Sequence, residues 1–182
     1  VNNYLLGKEP FPFDLLYWNS DSTRMPAAMH SFYLRTMYQE NKLVVPGGVT
    51  LAGVPLDLRK ITVPSFLLSS REDHIAPWKS TYAATQLYKG PVKFVLAASG
   101  HIAGVINPPG SGKYGYWTND ALPPRPDEWL AQAAYHEGSW CPAWETWVGQ
   151  YAGGEVPARR PGDGKLKVIE DAPGSFAKVR AG

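Results

Sequence analysis

Two six-residue runs, Ser-Phe-Leu-Leu-Ser-Ser at 65–70 and Val-Lys-Phe-Val-Leu-Ala at 92–97, have the apolar density of strands buried in a sheet. Between them, Pro77 suits a first helical turn, and Ala83, Ala84, Leu87 and Tyr88 form an apolar face. Gly90 suits the position after a helix C-cap. The pattern predicts strand, loop, helix, strand, which is a β-α-β crossover. A helix over 78–88 rises about 1.5 Å per residue, close to the span of a short strand at about 3.3 Å per residue. The chain is therefore returned to start a parallel neighbour.

Around this unit the pattern is less regular. Residues 1–25 are aromatic and broken by proline, and Asp21, Ser22 and Thr23 offer N-caps for a helix starting near Pro26. Met25, Met29, Phe32, Tyr33, Met37 and Leu43 approximate a helical period, predicting an amphipathic helix to about Lys42. Short β-prone runs at 49–52 and 54–58, separated by Gly53, predict a two-stranded ribbon. A further helix is expected from Pro126 or Asp127 to about His136, with Asp127 and Glu128 suited to its first turn. Another is expected over 143–151. Residues 152–182, rich in Gly, Pro and charge, predict an extended tail, loosely docked or partly disordered. No internal repeat or separate second domain is evident.

Composition changes the picture only slightly. The 182 residues are 44% apolar and 19% charged, which is globular. The 18 glycines and 17 prolines exceed an ordinary share of about 12% together, so loops occupy much of the chain. The net charge of +2 is interspersed and forms no phosphate-tracking stripe, which argues against a nucleic-acid partner. A single cysteine, Cys141, excludes an intramolecular disulfide and is compatible with a reducing compartment. No apolar run approaches the roughly 18 residues of a membrane span. No His, Cys or carboxylate cluster has metal-ligand spacing, so no metal is expected.

The chemistry-bearing residues are Asp73, in Ser-Ser-Arg-Glu-Asp-His (69–74), and His101, in Ala-Ser-Gly-His-Ile-Ala-Gly (98–104). Both fall just beyond the carboxyl ends of the two predicted parallel strands, where open α/β sheets build their sites. Acid then base is also the order of the last two members of an α/β-hydrolase triad. The carboxylate would fix the imidazole tautomer while the other ring nitrogen takes a proton from a nucleophile. Gly100 gives the histidine loop room to turn. The alternative is a solvated loop acid beside an ordinary surface histidine.

The wording around both residues goes further. Glu72-Asp73-His74-Ile75-Ala76-Pro77-Trp78 and Ser99-Gly100-His101-Ile102-Ala103-Gly104-Val105-Ile106-Asn107-Pro108-Pro109 closely resemble the C-terminal part of poly(3-hydroxyalkanoate) synthases, with wording like the class I, short-chain type. Further matches are Pro12-Phe13-Asp14-Leu15-Leu16-Tyr17-Trp18-Asn19, Gly53-Val54-Pro55-Leu56-Asp57-Leu58, Trp117-Thr118-Asn119 and Gly138-Ser139-Trp140.

The resemblance implies the C-terminal portion of an α/β-hydrolase fold, with residues 1–43 in a cap, 44–151 in the core and 152–182 as a tail. It implies an acyltransferase that polymerises (R)-3-hydroxyacyl-CoA into polyester with release of CoA, working in the cytoplasm at the granule surface, as a homodimer when complete. Asp73 and His101 would be the catalytic acid and base. The nucleophile would be a cysteine encoded before Val1, so this piece alone is expected to be inactive. The substrate is itself a CoA thioester, and no cofactor is implied. Two rivals stand beside this reading. One is an esterase, lipase or polyester depolymerase with an upstream serine; the other is a noncatalytic granule-binding or dimerisation module.

Other candidates read as structural. Cys141 follows His101 in the chain and lacks an elbow's glycines, so a structural thiol among Trp140 and Trp144 is expected. His74 reads as a packing or hydrogen-bonding residue, and His30 and His136 as surface or core-edge histidines on helices. Gly110-Ser111-Gly112-Lys113 is not a phosphate loop, because Asn107 and Tyr114 stand where that motif needs Gly and Ser or Thr. Lys113 reads as a solvated lysine. Trp129, Trp144 and Trp147 read as core or partner-facing rather than ligand-stacking.

Overall fold

A computed structural model of the chain describes residues 4–8 and 24–179. The proposed caps at 21–23 and the aromatic segment at 11–19 lie outside the described residues. The chain divides into two units, Val1–Ser31 with Glu155–Gly182, and Phe32–Gly154.

Helix α1 (Ala27–Tyr33), which begins in the first unit and whose last two residues belong to the second, starts just after Pro26, whose carbonyl accepts from His30 N at 2.9 Å. None of its residues is buried, and Met25 and Met29 are exposed. Residues 155–179 are almost entirely exposed and irregular apart from a short 3₁₀ turn at Phe176–Lys178.

The second unit holds the sheet. Helical structure from α1 passes into a wider π-type turn over Leu34–Gln39, so the predicted helix stops short of Lys42. Strands β1 (Thr50–Leu51) and β2 (Val54–Pro55) form the expected antiparallel ribbon. The central feature is a four-stranded sheet in the order β3 (Ser65–Ser70), β4 (Val92–Ala97), β5 (Gly115–Thr118), β6 (Ala134–Glu137). Strands β3 and β4 have the predicted bounds and pair in parallel from Ser65 opposite Val92 to Ser70 opposite Ala97. The crossover helix is present in two pieces, α2 (Trp78–Tyr82) and α3 (Ala84–Leu87), which meet at Ala83.

Beyond the crossover the sheet departs from the prediction. The helix expected to reach His136 ends at Ala131 (α4, Pro126–Ala131), and residues 134–137 form β6 instead. Strand β5, over a run the pattern left unassigned, pairs antiparallel with both β4 and β6. Cross-strand ring contacts explain the override of the helical period: Tyr116 stacks on His136 at 4.8 Å and Trp117 meets Tyr135 at 5.0 Å. Thr118 Oγ1 also bonds His136 Nε2 at 2.8 Å. His136 is thus a half-buried strand residue and not a helical one.

Side chains alternate across the sheet, and helices cover both faces. On one side, Phe94 and Leu96 pack with Trp78 and Tyr82 of α2 and Trp129 of α4. Phe94, Leu96 and Trp129 are each wholly buried, and the rings of Phe94 and Trp129 meet edge-on at 4.9 Å. On the other side, Phe66 packs against Trp147 of α5 (Cys141–Gly149) at 5.3 Å. The mixed α/β class is therefore observed, with one parallel pair and an antiparallel extension. Among the described residues, no helix is long and apolar enough to cross a membrane.

Candidate active site

The loops after β3 and β4 leave the sheet side by side, since the last residues of both strands are paired. Arg71 N donates to Ala97 O at 2.8 Å and Glu72 N to Ser99 O at 3.0 Å, extending the parallel pairing one step past the sheet. These bonds hold the acid loop against the base loop. Asp73 Oδ2 then accepts from His101 Nδ1 at 2.8 Å. The two residues expected to act together are in contact.

The acid is firmly placed. Its second oxygen, Oδ1, accepts from the amides of Ile75 and Ala76, both at 2.9 Å, and only 8% of the side chain is exposed. Burial pushes the carboxyl pKa up, but the Ala76 amide, the His101 ring and the Ile75 amide together outweigh it and hold the group below its ordinary value. An ionised carboxylate only accepts hydrogen bonds, so Nδ1 of His101 is the donor, and in the neutral imidazole Nε2 is the acceptor nitrogen. The histidine side chain is 44% exposed, so that nitrogen is within reach of a reactant.

The loop that carries His101 is shaped by residues the spacing argument did not select. Ser99, not Gly100, takes the left-handed turn, with φ of 73°. A Cβ on Gly100 would meet nothing closer than Glu72 O at 3.9 Å. Gly104 is the glycine the fold requires: a Cβ there would lie 2.3 Å from Ala98 O and 2.7 Å from Ser70 Oγ. The loop presses its backbone onto the end of β3 at that point. No local sequence signal marks this, because both obstructing groups belong to strand ends.

The remaining candidates fall elsewhere. Asp73 is met by His101 and not by the adjacent His74. The Cys141 thiol faces the Asn107 carbonyl at 3.8 Å, which fits a structural role. Trp129 lies in the core, whereas Trp144 is 44% exposed. A groove of about 480 Å³, lined by Lys93, Thr118, His136 and Trp147 among others, opens where β4 begins, at the opposite end of that strand from His101. No group of three or more His, Cys, Asp or Glu side chains suited to a metal occurs among the described residues.

No family model matches the sequence. Individual proteins do, along its entire length. The chain is 51% identical to the poly(3-hydroxyalkanoate) polymerase subunit PhaC of Cupriavidus necator, covering all of this chain and 31% of that one. It is 52% identical to the subunit of the same name from Rhizobium meliloti, covering 29% of it. It is 50% identical to the poly(3-hydroxyalkanoate) polymerase of Methylorubrum extorquens, covering 30% of it. The chain belongs to the poly(3-hydroxyalkanoate) polymerase family.

It spans about a third of the length of the curated relatives it matches. Within that third, the segments 72–78 and 99–109 are also where Asp73 and His101 meet in space.

Proposed function

We propose that this chain is the C-terminal portion of a class I polyester polymerase and supplies the acid and base of its catalytic triad. The observation that carries the proposal is the Asp73–His101 hydrogen bond at the carboxyl ends of adjacent parallel strands. The fold is read as the end of an α/β-hydrolase core over 44–151. Support for this comes from the sheet, which lies wholly between Ser65 and Glu137. Residues 1–43 are assigned to the cap and 152–182 to the tail.

In this reading a cysteine on an upstream segment is the nucleophile. His101 Nε2 takes the thiol proton, and the thiolate attacks the thioester carbonyl of an (R)-3-hydroxyacyl-CoA. The bond from that carbonyl to the CoA sulfur breaks. CoA leaves as the free thiol after recovering a proton from His101, and the acyl group stays on the cysteine. In the elongation step His101 takes the proton of a 3-hydroxyl, whose oxygen attacks the next acyl thioester; the ester bond forms as the carbonyl–sulfur bond of that thioester breaks, and the departing thiolate recovers the proton from His101. Asp73 keeps Nδ1 protonated and stabilises the imidazolium formed in each step. Thioester exchange with a thiolate has little driving-force penalty, so the growing chain can remain covalently held.

The substrate is expected to be a short-chain acyl-CoA, 3-hydroxybutyryl-CoA first. The enzyme is assigned to the cytoplasm, at the surface of the polyester granule, and to a homodimer. The test is His101→Ala in the full-length polymerase, followed by CoA release from 3-hydroxybutyryl-CoA. Loss of turnover by orders of magnitude with folding retained is expected. Near-normal turnover would remove His101 from the role of base.

A further inference from the structure

His101 sits on a loop that leaves β4 at Ala97 and enters β5 at Gly115, and the segment from 102 to 113 has no strand neighbour of its own. Internal turns close it locally: Ile106 N donates to Ile102 O at 2.9 Å and Asn107 N to Val105 O at 3.0 Å. Such turns do not fix the loop against the sheet. Besides the approach of Gly104 to the end of β3, that connection comes from the start of α5, more than thirty residues later in the chain. Trp140 Nε1 donates to Val105 O at 3.0 Å, and Ser139 Oγ donates to Asn107 O.

The serine contact is shielded, whereas the Trp140–Val105 bond lies at the surface. Asn107 is 4% exposed and Ser139 is 8% exposed. The Asn107 side chain gathers the far half of the loop, accepting from Ser111 Oγ at 2.5 Å and donating to Lys113 O at 2.9 Å. Ser139 Oγ is itself held by Cys141 N at 3.1 Å. Trp140 in turn lies against Phe66 of β3, with ring centroids 6.3 Å apart. The base loop is therefore referenced to β3 twice, through Gly104 against Ser70 and through Val105, Trp140 and Phe66. Asp73 follows directly from the same strand.

We propose that Ser139 and Trp140 are positioning residues for His101, clasping its loop through the carbonyls of Val105 and Asn107 so that base and acid share one rigid reference, strand β3. The clasp rests on the reading of His101 as the base. A base must stand within a few tenths of an ångström of the proton it moves, and a displacement of about 1 Å can cost roughly a hundredfold in rate. The buried Asn107 carbonyl, left without its donor, would relax toward water, and the loop would carry His101 with it.

The test uses the full-length polymerase with Ser139→Ala, which removes one oxygen, and Trp140→Phe, which removes the donor and keeps an aromatic ring. Steady-state CoA release should show kcat lowered about tenfold to a hundredfold with KM nearly unchanged. Ser139→Thr, which keeps the hydroxyl, should recover most of the loss. Hydrogen exchange should quicken at Ile106 and Asn107 and stay unchanged at Leu67 and Val95 in the strands. Wild-type kcat in both Ser139→Ala and Trp140→Phe would overturn the proposal, and so would a kcat loss accompanied by equal loosening of the strands. If Trp140→Phe does not fold, the serine pair decides alone. Full turnover by His101→Ala would instead sink the assignment of the base, and the exchange rates at Ile106 and Asn107 would still report whether the clasp holds the loop.

Discussion

Ser70 and Ala97 stand opposite each other as the last paired residues of two parallel strands, and the loops bearing Asp73 and His101 depart from that pair. Paired strand ends, and not proximity in the chain, bring the carboxylate to within 2.8 Å of the imidazole. The next amides along, Arg71 and Glu72, continue bonding to the opposite chain, so the two loops begin with a shared direction.

Replacing Asp73 with Asn in the full-length polymerase tests the tautomer argument. The amide can present its NH₂ to Nδ1 and favour the opposite imidazole tautomer, leaving Nε2 protonated and unable to act as base. CoA release is expected to fall by roughly 10³- to 10⁴-fold with the fold retained. A loss below about tenfold would show that the carboxylate does not set the tautomer.

The same carboxylate predicts a pH dependence of stability. Its pKa in the folded state is lowered by the Ala76 amide, the His101 ring and the Ile75 amide, despite the opposing effect of burial. A lowered folded pKa means the contribution is complete above the unfolded value of about 3.9 and is lost as pH falls through the folded one. The difference in apparent Tm between wild type and Asp73→Asn should be level at neutral pH and shrink on acidification below about pH 4. A gap that widens in that range would contradict the sign.

The two glycines flanking the histidine should respond differently. At Gly104 a methyl group would enter the space of Ala98 O and Ser70 Oγ, so Gly104→Ala is expected to destabilise by about 1–3 kcal/mol and to lower turnover. At Gly100 there is room, and Gly100→Ala should stay within about 1 kcal/mol of wild type. Denaturant unfolding of the two variants checks the contrast.

Trp129 tests the core that supports the site. It is wholly buried, contacts Phe94, Tyr82 and Trp78, and donates from its indole to Asn119 O at 3.3 Å. Trp129→Ala is expected to cost about 3–5 kcal/mol, measured as a shift in denaturation midpoint at constant slope.

Much of the site was legible because its signals are local. The bounds of β3 and β4 followed from two short apolar runs, and the crossover between them required the strands to be parallel. The order of Asp73 and His101 along the chain and their place after those strands then implied a meeting. The family resemblance read from the wording at 72–78 and 99–109 agrees with relatives 47–52% identical along nearly the whole chain. The helix expected to reach His136 failed for a different reason. Residues 134–137 are ordered by partners on β5, sixteen or more residues earlier, and a period read along one segment does not contain those partners.

By itself, then, the sequence determined the parallel pair, the meeting of Asp73 and His101 beyond its ends, and the family to which the wording belongs. These are consequences of residue type and short-range pattern. Tertiary structure alone decided that Ser99 makes the left-handed turn, that Gly104 must remain bare against Ser70, and that Ser139 and Trp140 hold the loop of His101. Each of those depends on groups far apart in the chain occupying the same few ångströms, and only the packed sheet and its helices bring them there.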